Sequence, residues 1–192
     1  MKLILGSASP RRKQILTEMG FTFDVIKPDI NEKVIRDPDP RKLVLALACA
    51  KADAIIAKIN EPAIVITSDQ VVSFHGKILE KPETLEEARQ MLKAYRDNIN
   101  STVTSVVVTN TKTGQRFSGV DVADVQFGNF SDDTIEEIVQ NKEVNVLDRA
   151  GGYAANHPLF QSRIKILGEY ESVVGLPKAL TLKLLSQAGG TL

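Results

Sequence analysis

The chain has 192 residues, 43% of them hydrophobic, enough to bury a sizeable core. Its 24 basic and 24 acidic side chains cancel, which argues against a nucleic-acid polymer or a membrane surface as partner, since both recruit a basic excess. The lone Cys49 excludes an internal disulfide and suits a reducing compartment. No apolar run is long enough for a signal-peptide core or a membrane span, so a soluble, cytoplasmic protein is expected.

In chain order, Leu3-Ile4-Leu5 reads as a buried strand, and Gly6-Ser7-Ala8 follows as a small-residue turn. Ser9 is placed as an N-cap with Pro10 at the first helical position; Ile15, Leu16 and Met19 continue at helical spacing, and Gly20 is the C-cap. Phe21 to Lys27 alternates like a strand. Pro28 to Pro40 is a polar loop with three prolines. Asp39-Pro40 opens a second helix reaching about Ile59. Pro62 to Ser68 is an apolar strand, Val71 to Phe74 continues extended, and His75-Gly76 turns it back through Lys77-Ile78-Leu79. Thr84 and Glu87 form a capping box for a helix to about Tyr95. A Val/Thr-rich strand from Thr102 to Asn110 turns at residues 111–114 into a long strand ending near Phe127. Ser131 caps a short helix to Gln140, Ala150 to Tyr153 is a glycine-rich loop, and Ile164 to Leu167 is a short strand. The last helix has Pro177 at its first position and stops near Gly189. Strands and helices alternate early and a hairpin comes late, so the class is α/β with a mixed sheet, and nothing breaks the chain into separate domains.

Charge is the unusual part of the first helix. Arg11, Arg12 and Lys13 crowd its first turn, where the helix dipole disfavours a cation by roughly 0.3–1 kcal/mol. Serine hydroxyls, backbone N–H groups and two guanidinia at that point suit a phosphate, although a solvated basic turn would read the same way. Lys51 emerges from the apolar stripe Val44, Leu47, Ala48, Ala54 and Ile55, where a packed stem with its ammonium in water is the simplest expectation. Asp69 lies at a strand end between two apolar runs, a place where a carboxylate needs a cation, a metal or a hydrogen-bond network. The following hairpin could return Glu80 and Lys81 beside it. Glu32 sits in a polar loop and alone would count as solvated. Two histidines make no His-rich metal site, and the P-loop and nucleophile-elbow patterns are missing from the sequence. Glu32 and Asp69, with Glu80 if the hairpin returns it, set among Arg11, Arg12, Lys51 and Lys81, describe a Mg²⁺-dependent nucleotide site.

These residues, in this order, resemble the Maf family of nucleotide pyrophosphatases. The matching pieces are Ser7-Ala8-Ser9-Pro10-Arg11-Arg12, Glu32, Ala50-Lys51-Ala52, Ser68-Asp69-Gln70, Glu80-Lys81-Pro82, Ala150-Gly151-Gly152-Tyr153 and Val174-Gly175-Leu176-Pro177. The resemblance implies an inosine-triphosphate-pyrophosphatase-like fold over residues 1–192: an elongated mixed β-sheet with flanking helices, two lobes and a central cleft, in a homodimer. It implies hydrolysis of a nucleoside triphosphate to the monophosphate and pyrophosphate, with a divalent metal, Mg²⁺ or Mn²⁺, as cofactor. Ser7, Ser9, Arg11, Arg12, Lys51 and Lys81 would hold the phosphates. Glu32 and Asp69 would bind the metal, and Asp69, with Lys51 and Lys81, would serve the chemistry. Members resembling the 7-methyl-GTP type carry Ser-Asp-Gln at the strand end, as here, whereas Arg12 matches the dTTP/UTP type. The later Tyr153-Ala154-Ala155-Asn156 matches neither, so Gln70, Tyr153 and Asn156 are expected near the base. The family is also linked to arrest of septum formation, which leaves a nucleotide-sensing binding protein as the alternative function.

Overall fold

The computed structural model describes residues 1–189; the chain end expected to close the domain at Leu192 lies outside them. Seven strands form one mixed sheet: β1 (Lys2–Leu5), β2 (Asp24–Val25), β3 (Ala63–Phe74), β4 (Lys77–Leu79), β5 (Ile99–Asn110), β6 (Arg116–Phe127) and β7 (Ile164–Leu167). Their order is β2-β1-β3-β5-β6-β7, with β4 also bonded to β3. The pairs β1–β2 and β1–β3 are parallel, and all others are antiparallel. The helices are α1 (Pro10–Glu18), α2 (Pro40–Ile56), α3 (Leu85–Tyr95), α4 (Asp132–Gln140), α5 (Pro158–Gln161), α6 (Tyr170–Val174) and α7 (Lys178–Gln187).

Most elements form where local chemistry places them. The side chains of Ser9, Asp39, Thr84 and Ser131 each accept a backbone N–H in the first turn of α1, α2, α3 and α4, satisfying donors a helix start leaves free. His75 and Gly76 both take positive φ, the backbone a two-residue hairpin between twisted strands requires. Four expectations shift. The strand over 21–27 shrinks to Asp24–Val25, because only Ile4 and Leu5 of β1 pair with it, while Phe21 and Phe23 turn into the core instead. Helix α2 stops at Ile56. Polar Thr67 to Gln70 does not interrupt its strand, so β3 runs unbroken for 12 residues. Pro177 caps α7 from outside, and α6, which carries no periodic signal at five residues, precedes it.

Packing divides the sheet along its length. On one face, helix α2 lies across the whole of β3: Ile55 packs with Ile4, Ala63 and Val65, whereas Leu43, Val44 and Leu47 pack with Val71 and Val103. The other face carries two separate apolar clusters. At the β1 end, Leu5, Ile64, Ile66, Val106 and Val108 meet α1 and α7. At the β4 end, Val72, Ala123, Val125 and Phe127 meet α3, α4 and a nest of edge-to-face aromatics that includes Tyr95, Phe130 and Phe160. Between the clusters this face of the sheet is polar, presenting Ser68, Gln70 and Thr104.

Candidate active site

The site originates in a gap in the sheet edge. Strand β1 covers Ala63 to Ile66 of β3, and β4 covers Val72 to Phe74. From Thr67 to Val71, β3 has its β5 partner on one side and an open edge on the other. A cleft of about 1050 Å³ opens over this edge. One wall is the turn from β1 into α1 (residues 6–12), with Lys51 and Glu32; the other is Leu79 to Glu83 with Asn145 to Ala150. Gly6 permits the first wall to sit so close, because a Cβ there would lie 2.7 Å from Thr67 Cγ2.

Asp69 projects from β3 on the α2 side, and Lys51 of α2 donates its ammonium to Asp69 Oδ1. The same Nζ lies 2.9 Å from Glu32 Oε1. Lys51 is 7% exposed and Asp69 6%, so Lys51 is not a snorkelling side chain but the buried centre of two carboxylates. Burial pushes the Asp69 carboxyl above its usual 3.8, and the charges of Lys51 and Arg12 pull it back only in part. Glu32 opens a short 3₁₀ turn (Glu32–Val34), fixed by Asn31 Oδ1 accepting from the Lys33 N–H.

On the opposite side of β3, the polar waist holds α6 by its carbonyls. Gln70 Nε2 donates to Val173 O at 2.7 Å and Ser172 O at 3.3 Å, Thr104 Oγ1 to Ser172 O at 2.9 Å, and Ser68 Oγ to Gly175 O at 3.0 Å. Gly175 O also accepts Arg12 Nε at 2.8 Å. Arg12 Nη1 reaches Ser7 Oγ at 3.4 Å, and Ser7 Oγ accepts the Ser9 N–H at 3.1 Å. Although Arg12 belongs to the wrong end of α1 for a cation, its guanidinium sits at the carbonyl end of α6, where positive charge is favoured. Burial lowers its pKa, and the nearby Asp69 and Glu32 charges oppose that shift. Gly175 makes the junction possible: its φ is +116°, and a Cβ would stand 3.3 Å from Gln70 Oε1 and 3.4 Å from Arg12 Nε.

Of the remaining expected residues, Arg11 and Ser9 line the cleft, the latter as the cap accepting the Arg12 N–H. Pro10 lacks an N–H, and those of Arg12 and Lys13 bond Ser9, so the hydroxyls and guanidinia carry more of any anion grip than backbone N–H groups do. Glu80 and Lys81 line the same cleft but do not touch Asp69. Strand β4 ends at Leu79, and the two side chains turn outward to Arg36 (3.4 Å) and Asp148 (3.7 Å), being 60% and 62% exposed. Tyr153 lines the cleft floor yet is core: its OH meets Thr102 Oγ1 at 3.0 Å and Asn100 Oδ1 at 3.3 Å, and burial pushes its pKa up to about 12. Gln70 has its amide N–H groups committed to α6. Asn156 is exposed and stands outside the cleft lining, because the chain turns away after Ala155.

Glu32 and Asp69 are both oxygen donors, brought near each other by the Lys51 ammonium that stands between them. That fits a hard dication such as Mg²⁺, which takes one or two carboxylates and completes its shell with water and phosphate oxygens. Among the described residues, no group of three or more His, Cys, Asp or Glu is arranged to hold a metal.

A sequence profile of the family described as Maf-like protein matches residues 2–188. The chain belongs to the Maf-like family. One relative, from Dictyostelium discoideum and named 7-methyl-GTP pyrophosphatase, is 42% identical over 192 residues, covering 96% of each chain. Another, from Vibrio vulnificus and named dTTP/UTP pyrophosphatase, is 37% identical over 186 residues, covering 97% of this chain and 98% of that one. A solved structure of a HAM1 protein from Coxiella burnetii aligns with 66% of this chain and 73% of its own, at 15% identity and a TM-score of 0.43.

This Maf-like chain also lines its cleft with cations that sequence reasoning missed: Lys27, Lys33, Arg36 and Arg149. The first three sit in or beside the proline-bearing loop, where basic residues read as solvated. Arg149 directly precedes the glycine-rich Ala150-Gly151-Gly152, and that adjacency was its available signal.

Proposed function

We propose that this protein hydrolyses a nucleoside triphosphate to the monophosphate and pyrophosphate. The observation that carries the reading is the buried Lys51 ammonium joining Asp69 and Glu32 beside the Ser7–Arg12 turn in one cleft; relatives named pyrophosphatases on both sides of the base-specificity divide support it. Ser7, Ser9, Arg11 and Arg12 hold the triphosphate from the β1 side, and Lys81 reaches it from the other wall. Lys51 steadies both carboxylates. Asp69 orients the attacking water and takes its proton as the new O–P bond forms at the α-phosphorus and the bond to the β-phosphate bridge breaks. The guanidinia offset the charge that gathers on departing pyrophosphate. Glu32 and Asp69 would hold Mg²⁺ or Mn²⁺, which supplies further charge neutralisation at the phosphates when bound.

The cleft volume is of the size that encloses a nucleotide. No helix among the described residues is long and apolar enough to cross a membrane, and Cys49 is a free thiol; both agree with a cytoplasmic enzyme. A homodimer is part of the proposal, and sedimentation tests it separately. The deciding experiment offers unmodified, methylated and deaminated triphosphates with Mg²⁺ or Mn²⁺ and measures released anions. Pyrophosphate is expected, and orthophosphate would refute the reaction type. Tight nucleotide binding without release from any triphosphate would favour the sensing protein instead.

A further inference from the structure

The Lys51 ammonium lines the cleft, yet both of its anion partners come from the protein itself. It donates to Asp69 Oδ1 and stands 2.9 Å from Glu32 Oε1, with its side chain 8% exposed. These are the two carboxylates that fit a hard dication, which holds its oxygens at about 2.0–2.1 Å. An ion on the oxygens that face Lys51 would stand where the ammonium stands. On the far oxygens it would meet a full positive charge at close range, in a setting where burial leaves little screening. Ammonium and dication are therefore rivals for one pair of carboxylates.

Charge balance decides between them. Asp69 and Glu32 both act on the nearby Arg12 guanidinium, so two carboxylates already face two cations. A free dication adds two positive charges to a balanced group whose centre is buried, and it must turn the ammonium out to seat itself. Nothing else in the protein takes that ammonium: among the described residues its acidic partners are Asp69 and Glu32 alone. A triphosphate changes both conditions. It brings negative charge, and along Ser7, Arg11 and Arg12 it offers phosphate oxygens to the ammonium in exchange for carboxylates. The flexible four-carbon stem lets the head swing while the packed backbones of α2 and β3 stay in place.

Resting on the nucleotide reading above, we propose that Lys51 guards Asp69 and Glu32 against free divalent metal and releases them when a triphosphate takes over its ammonium. The metal is then bound together with the triphosphate and not ahead of it. Free-metal affinity is scaled down to the fraction of molecules whose ammonium has left, and the triphosphate lifts that reduction. By linkage, the metal strengthens triphosphate binding by the same factor.

Two measurements on the full chain test this without turnover. Free Mn²⁺, followed by electron paramagnetic resonance in nucleotide-free protein, is expected to bind at least about tenfold tighter to Lys51→Met than to the wild type. Lys51→Gln, which loses the charge but keeps a polar head, should also bind it tighter. Lys33→Met removes a charge beside Glu32 from the same cleft lining and should change the affinity by less than about threefold. Adding Glu32→Gln to Lys51→Met should reverse the gain. In the wild type, the ammonium NMR resonance of Lys51, assigned with Lys51→Gln, should stay in place with Mg²⁺ alone. It should move when Mg²⁺ is added with the non-hydrolysable α,β-methylene analogue of UTP or GTP. Equal or weaker Mn²⁺ binding in the Lys51 variants, or an equal gain in Lys33→Met, overturns the proposal. So does a Lys51 resonance that moves with Mg²⁺ alone, or that stays put when a bound analogue and Mg²⁺ are both present. If Lys51→Met does not fold, Lys51→Gln and the wild-type resonance carry the decision. If neither analogue binds, the nucleotide reading falls, and the Mn²⁺ measurement still decides whether Lys51 and the metal compete.

Discussion

The two walls of the cleft are built on opposite terms. On the β1 wall the innermost polar groups are engaged: Lys51 with two carboxylates, Arg12 with Gly175 O and Ser7, Gln70 with α6. On the β4 wall Glu80, Lys81 and Asp148 are largely in water, joined by long single ion pairs. Exposed pairs of that kind contribute about 0–1 kcal/mol, whereas removing one member of a buried pair costs several times more. The β1 wall is therefore preorganised before any substrate arrives, as electrostatic catalysis requires, and the β4 wall is free to adjust to what enters.

The largest break in that contrast comes from Asp69→Asn. Pyrophosphate release is expected to fall by about a thousandfold or more, while the melting temperature stays near wild type, because Lys51 keeps Glu32 as its partner and the lost carboxylate was itself held at a desolvation cost. Near-normal turnover in this variant would remove Asp69 from the chemistry. Lys51→Met and Lys81→Met then separate the walls by stability. Urea unfolding should show a loss of about 3 kcal/mol for the first, which strands Asp69, and under about 0.5 kcal/mol for the second. Equal losses would erase the distinction between a built wall and an adaptable one.

The pH dependence sharpens the same contrast. Asp69 has a folded pKa above its unfolded value, so the folded chain binds the proton more tightly. Its contribution to stability is greatest below 3.8 and declines as pH rises through the window from 3.8 to the raised folded value. Measured by denaturation without divalent metal, Asp69→Asn should remove this slope, and a Lys81→Met chain should keep it. The smallest effect belongs to Tyr153→Phe. Losing a hydroxyl bonded to Thr102 and Asn100 should cost about 1 kcal/mol, and the ratio of UTP to CTP turnover should not move. A changed ratio would return Tyr153 to base recognition.

What sequence could and could not reveal follows the range of the interactions. Caps at Ser9, Asp39, Thr84 and Ser131 act within a turn, and the His75-Gly76 hairpin within two residues, so these elements were legible. Asp69 was legible too, since an acid between apolar runs demands a partner. Which partner was not: Lys51 lies 18 residues away, and its pattern alone matched a solvated ammonium. The fate of Arg12 was hidden further still, because its acceptor is Gly175, 163 residues on, at the end of a helix too short to show a period. A hairpin pairing back on β3 could return Glu80 and Lys81 beside Asp69; β4 does pair back but stops at Leu79, where side-chain pairing to Arg36 and Asp148 takes over. Arg149 escaped notice because an arginine before a glycine-rich loop looks the same whether or not an acceptor awaits it.

The unbroken run of β3 and β5 has a mechanical consequence. Two antiparallel strands of 12 residues each, about 40 Å long, pass beneath the cleft and are bonded to each other from Ile64 to Ser73. The two halves of the molecule thus share a spine, not a hinge. Swinging the walls together as rigid bodies would bend a doubly bonded ribbon in its stiff direction, with α2 clamped along one face as a splint. Substrate entry and product exit are therefore work for the rim, above all the exposed Glu80-Lys81 side, while the floor that carries Asp69 holds still.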